Sequence, residues 1–358
     1  MKKKSRGWKA LACAGLCLGL AAGVFLFGGC GNQGTDGQES TETAGAGKEN
    51  AGSAPITEYS MDYLDTLVSI TLYDTTDRSI LHHCFEIIAE YEEKLSRTLE
   101  GTQIYALNEN GTVWMDDDVL ELLQKGVYYS ELSGGVFDIT VEPITSQWDF
   151  KAETPALPDA QVLAEAVKHV DYTKLSIDGN QVTLADPESG VDLGAIAKGY
   201  VADRVKEYLI GEGVNSAIIN LGGNILCIGT KPDGTAFNVG LQFPFASRED
   251  VIAIVEIDGF SVVTSGIDQR NFTIDDVLYH HILNTGTGWP CENNLLAVTI
   301  ISEHSVDGDA LSTSCFALGL EKGMELIDGI DGVYAAFITD DYTVHYSQGF
   351  REHLKVTD

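Results

Sequence analysis

The order in which strand-like and helix-like segments follow one another is the strongest constraint on what this chain can fold into. From Ile56 onward the apolar spacing switches between the strand period and the helical period without settling into a strand–helix–strand repeat. Leu67–Tyr73 alternates and is rich in β-branched residues, as a half-buried strand should be. Ser79–Leu95 and Val119–Leu132 carry helical spacing, and Leu175–Ile177 with Val182–Leu184 frames the turn Asp178-Gly179-Asn180 as a hairpin. Ala195–Leu209 reads as a helix, followed by strands at Ala217–Asn220 and Ile225–Gly229. Val251–Ile257 and Gly259–Thr264 read as paired strands, Leu296–Ile301 as a strand and Asp309–Leu318 as a helix. Val333–Thr339 with Thr343–Tyr346 reads as a closing hairpin. The expectation is an α+β fold with mixed, largely antiparallel sheets and packed helices, not a doubly wound one.

The N-terminal end is of a different kind. Lys2, Lys3, Lys4, Arg6 and Lys9 precede an apolar run from Ala10 to Phe27, and Gly28-Gly29-Cys30 closes it. A basic start, an apolar middle and small residues before a break describe a secretory signal. Cys30 directly after two glycines points to lipoprotein processing with Cys30 as the acylated first residue; an uncleaved membrane anchor is the other reading. Both place the remainder outside the cytoplasm, with lipid on Cys30 holding it at the outer face of the cytoplasmic membrane. Residues 30–55, rich in Gly, Ser, Thr, Ala and Glu, lack the apolar surface to offset their ordering entropy and read as a tether. The division is therefore a signal at 1–29, a tether at 30–55 and a folded domain at 56–358.

The formal net charge of −32 argues against nucleic acid as a partner and suits a protein that binds a cation. Cys84, Cys227, Cys291 and Cys315 are widely spaced among apolar neighbours, with no zinc-ligand pattern. They read as buried free thiols; one or two disulfides are the alternative in an oxidising compartment.

Six segments concentrate Gly, carboxylates and hydroxyls at element ends. Ser133–Ile144 (SGGVFDITVEPI) runs from a helix end through glycines into an extended piece, and such glycines let backbone approach a flat or anionic ligand. Val191–Tyr200 (VDLGAIAKGY) opens a helix whose first N–H groups and Lys198 suit phosphate, although Asp192 also fits a plain cap. Asn220–Ile225 (NLGGNI) is a tight passage between strands, and Thr264-Ser265-Gly266 is followed by Arg270. His280 and His281, in a strand, point to opposite faces, so at most one enters a given site. Asp309 and Thr313 are four apart and share a helix face, offering the hard oxygen ligands that magnesium prefers. A carboxylate complementing the helix dipole, with Thr313 bonding back inside the helix, accounts equally for that last pair.

Together and in this order, SGGVFDITVEPI, VDLGAIAKGY, NLGGN, TSG, HILNTGTGWP and DALST resemble the signature blocks of the ApbE family, the FAD:protein FMN transferases. The resemblance runs from about Leu64 to the C-terminus and implies a T-fold-like core, FAD as substrate and magnesium, or manganese, as cofactor. It implies that Asp192 and Lys198 contact FAD. The Ala195 carbonyl, Asp309 and the Thr313 hydroxyl would form the protein's share of the metal shell. Val136, Phe137 and Asp138 would lie along the flavin nucleotide, Ile282 would touch FAD, and Leu64 and Thr98 would stand near the flavin ring. His281 would sit at the reacting end, handling a proton or positioning ligand. The sequence departs from the family at Asn284-Thr285, where Asp-Pro is usual, and at Glu142, where Gly is usual. Leu64 and Thr98 replace a Met and an aromatic, and Asp268 stands where Tyr is common.

The implied reaction moves FMN from FAD to a Thr or Ser hydroxyl of a separate acceptor protein, with a membrane redox subunit as the acceptor the resemblance implies, and releases AMP. An FAD pyrophosphatase, with water as acceptor, and a non-catalytic flavin-binding lipoprotein are the alternatives.

Overall fold

The computed structural model describes residues 54–247 and 249–355. The signal, nearly all of the tether and Cys30 therefore lie outside the described residues. A hairpin comes first, β1 (Ile56–Tyr63) and β2 (Thr66–Leu72), turning through Leu64 and Asp65, both at positive φ. Then follow α1 (Arg78–Leu95), capped by the Asp77 carboxylate, and α2 (Gln103–Asn110), capped by the Thr102 hydroxyl. Next come β3 (Thr112–Trp114), α3 (Asp117–Leu132), the single turn α4 (Glu142–Thr145) and α5 (Ala160–Ala166). β4 (Leu175–Asp178) and β5 (Gln181–Leu184) pair with β3 in a small sheet. α6 (Ala197–Gly211) leads into β6 (Ala217–Leu221) and β7 (Asn224–Ile228). β8 (Phe237–Gln242) and β9 (Val251–Ile257) form one hairpin. β10 (Ser261–Gly266) precedes a second hairpin, β11 (Asn271–Ile274) and β12 (Val277–His280). The chain ends with β13 (Leu295–Ser302), α7 (Ser305–Leu318), α8 (Leu320–Asp328), β14 (Tyr334–Thr339) and β15 (Val344–Tyr346).

The main sheet has eight strands in the order β1-β2-β6-β7-β10-β13-β14-β15, each pair antiparallel. The fold is therefore α+β, as the absence of a strand–helix–strand rhythm requires. Successive side chains feed opposite faces. Leu226, Ile300 and Phe337 enter the core beneath the helices, while Cys227, Ile301 and Ala336 enter a second core roofed by β8 and β9. Coverage on both sides explains why β13 (LLAVTIIS) is apolar along most of its length and buried throughout.

Three sequence expectations are corrected. β9 and β10 do not pair: β9 bonds β8, and β10 inserts between β7 and β13. The buried start of β10 (Ser261, Val262, Val263) demands a central place, whereas β9 is more exposed and serves in the covering hairpin. Helix α7 starts at Ser305, not Asp309, because the Asp203 carboxylate from α6 accepts the N–H groups of Ser305 and Val306 at 2.9 Å each. Asp307-Gly308 has the look of a turn but lies inside that helix. A Cβ at Gly308 would fall 2.8 Å from a methyl of Val263, so the glycine lets α7 lie close on β10. The end of SGGVFDITVEPI is likewise not extended but closes into the α4 turn, with Pro143 among its first residues. Among the described residues the four cysteines are free and buried, without disulfides. No described helix is long and apolar enough to cross a membrane.

Candidate active site

Helices α6 and α7 cross at Gly199. A Cβ there would sit 2.3 Å from the Ser305 carbonyl oxygen and 2.6 Å from the Val306 Cα, so only glycine permits this approach. The crossing brings Asp309, 3 % exposed, against the first turn of α6. Its Oδ2 accepts the Gly199 N–H at 2.9 Å and its Oδ1 faces Lys198 Nζ at 3.3 Å. Asp309 thus stands one turn into α7 rather than at its start, with Thr313 one further turn along the same face. Thr313 does not complete the internal back-bond: its hydroxyl lies 3.2 Å from Ser265 Oγ of β10, which also meets Ser312 Oγ at 2.8 Å.

The Gly199 contact has a second effect. Gly199 lies in the first turn of α6, after the cap residue Ile196, so its N–H has no acceptor within its own helix. Asp309 supplies that acceptor, and Ala195 sits in the turn just before α6, outside the helical ladder. One carboxylate, one main-chain carbonyl and hydroxyls at 313 and 265 are all hard oxygen donors, and this donor set fits magnesium or manganese. No described group of three or more His, Cys, Asp or Glu side chains could hold a metal. The set here differs in kind, drawing one oxygen from the main chain and others from hydroxyls.

The two histidines have different surroundings, and only His280 belongs to a strand: β12 ends there and His281 lies just beyond it. His280 is buried, its Nε2–H donating to the Cys291 carbonyl at 3.2 Å and its ring edge-on to Phe316. His281 is half-buried, and its Nδ1 lies 3.2 Å from the Arg270 carbonyl. A carbonyl only accepts, so Nδ1 carries the hydrogen and Nε2 the free lone pair. Burial first, then the charges of Arg270 and Lys198, push His281 down to about 4. It is a neutral imidazole at working pH.

Asp192 is not the helix cap; Ile196 occupies that position. Asp192 instead accepts the Gly194 N–H at 2.9 Å, the Thr145 hydroxyl at 2.7 Å and Arg97 Nε at 3.0 Å. Thr98 follows Arg97 in an exposed loop. Leu64 sits in the β1–β2 turn, its N–H held by Glu92 at 2.9 Å. The neighbouring Asp65 pairs with Lys151 on the rim of a cavity of ≈ 470 Å³ that Arg270 also lines. Ile282 and Phe137 are buried and Val136 is half-buried. The Asp138 carboxylate is engaged internally by Thr140 and the Tyr172 N–H, leaving backbone as what it can present to a nucleotide. The turn at Asn284-Thr285, where the sequence departs from the usual Asp-Pro, is closed by hydrogen bonds. Asn284 Oδ1 accepts the Gly286 N–H, and the Thr285 hydroxyl donates to the Gly135 carbonyl at 2.8 Å, joining two of the sequence blocks. The sequence gives Arg97, Glu142, Thr145 and Ser265 no site signal of their own: Arg97 lies in a loop with no motif, and Ser265 is one residue of a three-residue block.

The ApbE family model matches residues 64–338. The chain belongs to the ApbE family. Among relatives, it is 32 % identical over 331 residues to the FAD:protein FMN transferase of Treponema pallidum, covering 86 % of this chain and 91 % of the relative. It is also 32 % identical to that of Klebsiella pneumoniae, covering 84 % and 94 %. Its fold is similar to the ApbE protein of Thermotoga maritima, with a TM-score of 0.77 and 27 % identity over 84 % of this chain and 100 % of that one. The apo flavinyl transferase ApbE of Pseudomonas stutzeri gives 0.73 and 28 % over 85 % and 97 %. The ApbE match spans the blocks that build the α6–α7 crossing and the segment with His281.

Proposed function

We propose that this ApbE-family chain is an exported, lipid-anchored FAD:protein FMN transferase. It moves FMN from FAD to a Thr or Ser hydroxyl of a separate protein, with magnesium, or manganese, as cofactor. The observation that carries the reading is the capture of the first-turn Gly199 N–H of α6 by the buried Asp309 carboxylate, which holds that carboxylate against the turn that carries Ala195.

Ala195 O, Asp309 and the Thr313 hydroxyl would hold the ion, with Ser265 adjoining them. When bound, a divalent cation neutralises charge that develops on the pyrophosphate, an effect worth several kcal/mol. Lys198 adds a positive charge on the same side. The acceptor oxygen attacks the FMN-side phosphorus, the bond from that phosphorus to the bridging oxygen breaks, and AMP leaves with that oxygen. His281 Nε2, unprotonated and uncommitted, takes the proton from the incoming hydroxyl.

The anchoring part of the proposal rests on the basic and apolar leader, Cys30 and the tether that follows. A catalytic domain so placed meets acceptors at the outer face of the membrane, and a membrane redox subunit is the acceptor class that suits it. The acidic balance keeps nucleic acid out of the account. The test is to incubate the purified protein with FAD, magnesium and a candidate acceptor and then weigh the acceptor. Acceptor heavier by one FMN, with matching AMP, supports the transferase. Free FMN with unmodified acceptor points to the pyrophosphatase, and bound flavin without AMP points to a carrier.

A further inference from the structure

We propose that Glu142 and Arg97 form a positioning clamp that fixes Asp192 and the Gly194–Lys198 turn for FAD, a role that rests on the transferase reading above. Three segments distant in sequence meet at one guanidinium. Arg97, in the loop after α1, donates through Nη1 to Glu142 Oε1 of α4 at 3.2 Å. Through Nε it donates to Asp192 Oδ2, before α6, at 3.0 Å. The three side chains are only 18 to 26 % exposed, so the pairing is shielded from bulk water. The Thr145 hydroxyl holds Asp192 Oδ2 as well, and Oδ1 keeps the Gly194 N–H, the first step toward Ala195 and Lys198.

Local backbone is shaped to receive Glu142. Its N–H donates to the Gly190 carbonyl at 3.2 Å, and a Cβ on Gly190 would fall 2.8 Å from Glu142 Oε2. A glycine at 142 would leave Arg97 to Asp192 alone. With Glu142 present the guanidinium is divided between two carboxylates. Asp192 is then oriented without being fully neutralised, as a carboxylate meant to receive ligand hydroxyl or amine groups must be. The charged groups facing Glu142 are Arg97, Asp192 and Glu109 of α2. Burial, with Asp192 and Glu109 adding to it, raises the Glu142 carboxyl against the pull of Arg97. As pH falls Glu142 therefore protonates above the ordinary glutamate range, and the clamp opens.

The experiment measures FAD affinity by flavin fluorescence, and KM and kcat for AMP release, across pH in the full-length protein. In Glu142→Gln, KM for FAD rises about tenfold, the factor that 1.4 kcal/mol of lost positioning represents, while kcat at saturating FAD is kept. Wild-type KM climbs as pH is lowered toward the glutamate range, and the variant's does not. Arg97→Lys keeps the charge but loses the fork, so it gives a smaller rise with the pH dependence retained. A Glu142→Gln protein with wild-type KM and pH dependence, a loss confined to kcat, or an unaltered Arg97→Lys protein would overturn the clamp. A wild-type protein that binds no FAD removes both the clamp and the transferase reading beneath it.

Discussion

At Gly199 a first-turn N–H with no acceptor in its own helix is taken up by a carboxylate on another helix, and His281 shows the same economy of single contacts. The Arg270 carbonyl fixes its tautomer, and burial beside Arg270 and Lys198 keeps it neutral. A base held down at about 4 remains competent far below the ordinary histidine value of 6.5. The acid limb of the kcat/KM profile for transfer is therefore expected near 4 rather than near 6.5; a limb at the ordinary value would remove His281 from the proton-handling role. His281→Gln is expected to lower kcat by about 10²- to 10⁴-fold, the usual range for a lost general base, with the protein still folded. His280 is also pushed down to about 4, by burial. For both rings the charged form is disfavoured on folding. Their contribution to stability is thus present above about 6.5 and is lost as pH falls toward 4. Thermal melts across that window should show Tm falling with pH, and less steeply in His280→Phe than in wild type.

At the scale of elements, the α6–α7 crossing sets the site. Gly199→Ala would press a methyl onto the backbone of Ser305 and Val306, neither of which is a flexible side-chain end. Separating the helices should cost about 1–3 kcal/mol and pull Asp309 from Lys198. Melting and FAD turnover should therefore fall together in that variant; wild-type turnover would show that the crossing does not set the geometry. Asp203→Asn, which weakens the charged cap on Ser305 and Val306, should lower stability by about 1–2 kcal/mol. The helices α1, α3 and α6 and the β4–β5, β6–β7 and β14–β15 hairpins are legible in sequence because periodicity and turn residues act over short range. The start of α7 was hidden because its cap comes from Asp203, about a hundred residues away, and because Gly308 serves close packing rather than a turn. The partners of β9 and β10 were hidden for a similar reason: central placement is decided by what covers both faces of the sheet. That Asp309 and Thr313 share one helix face was legible from their spacing, whereas Arg97 and Ser265 acquire meaning only once the chain has folded around them.

For the molecule as a whole, an eight-stranded sheet covered on both faces gives a rigid base, and the proposed site lies where α6 and α7 meet on its helical side. The leader and tether add only location in this account. Cys30→Ser should shift the protein from the membrane to the soluble fraction while leaving turnover of FAD with a soluble acceptor unchanged; a variant still sedimenting with membranes would point to the uncleaved anchor. The central claim is that Ala195 O, Asp309 and Thr313 grip a divalent ion at the phosphates of FAD. Its most direct test is calorimetric titration of magnesium into the FAD-loaded protein and into Asp309→Ala and Thr313→Ala. The account predicts one tight site in wild type, lost in Asp309→Ala and weakened in Thr313→Ala; magnesium affinity unchanged in Asp309→Ala would contradict it.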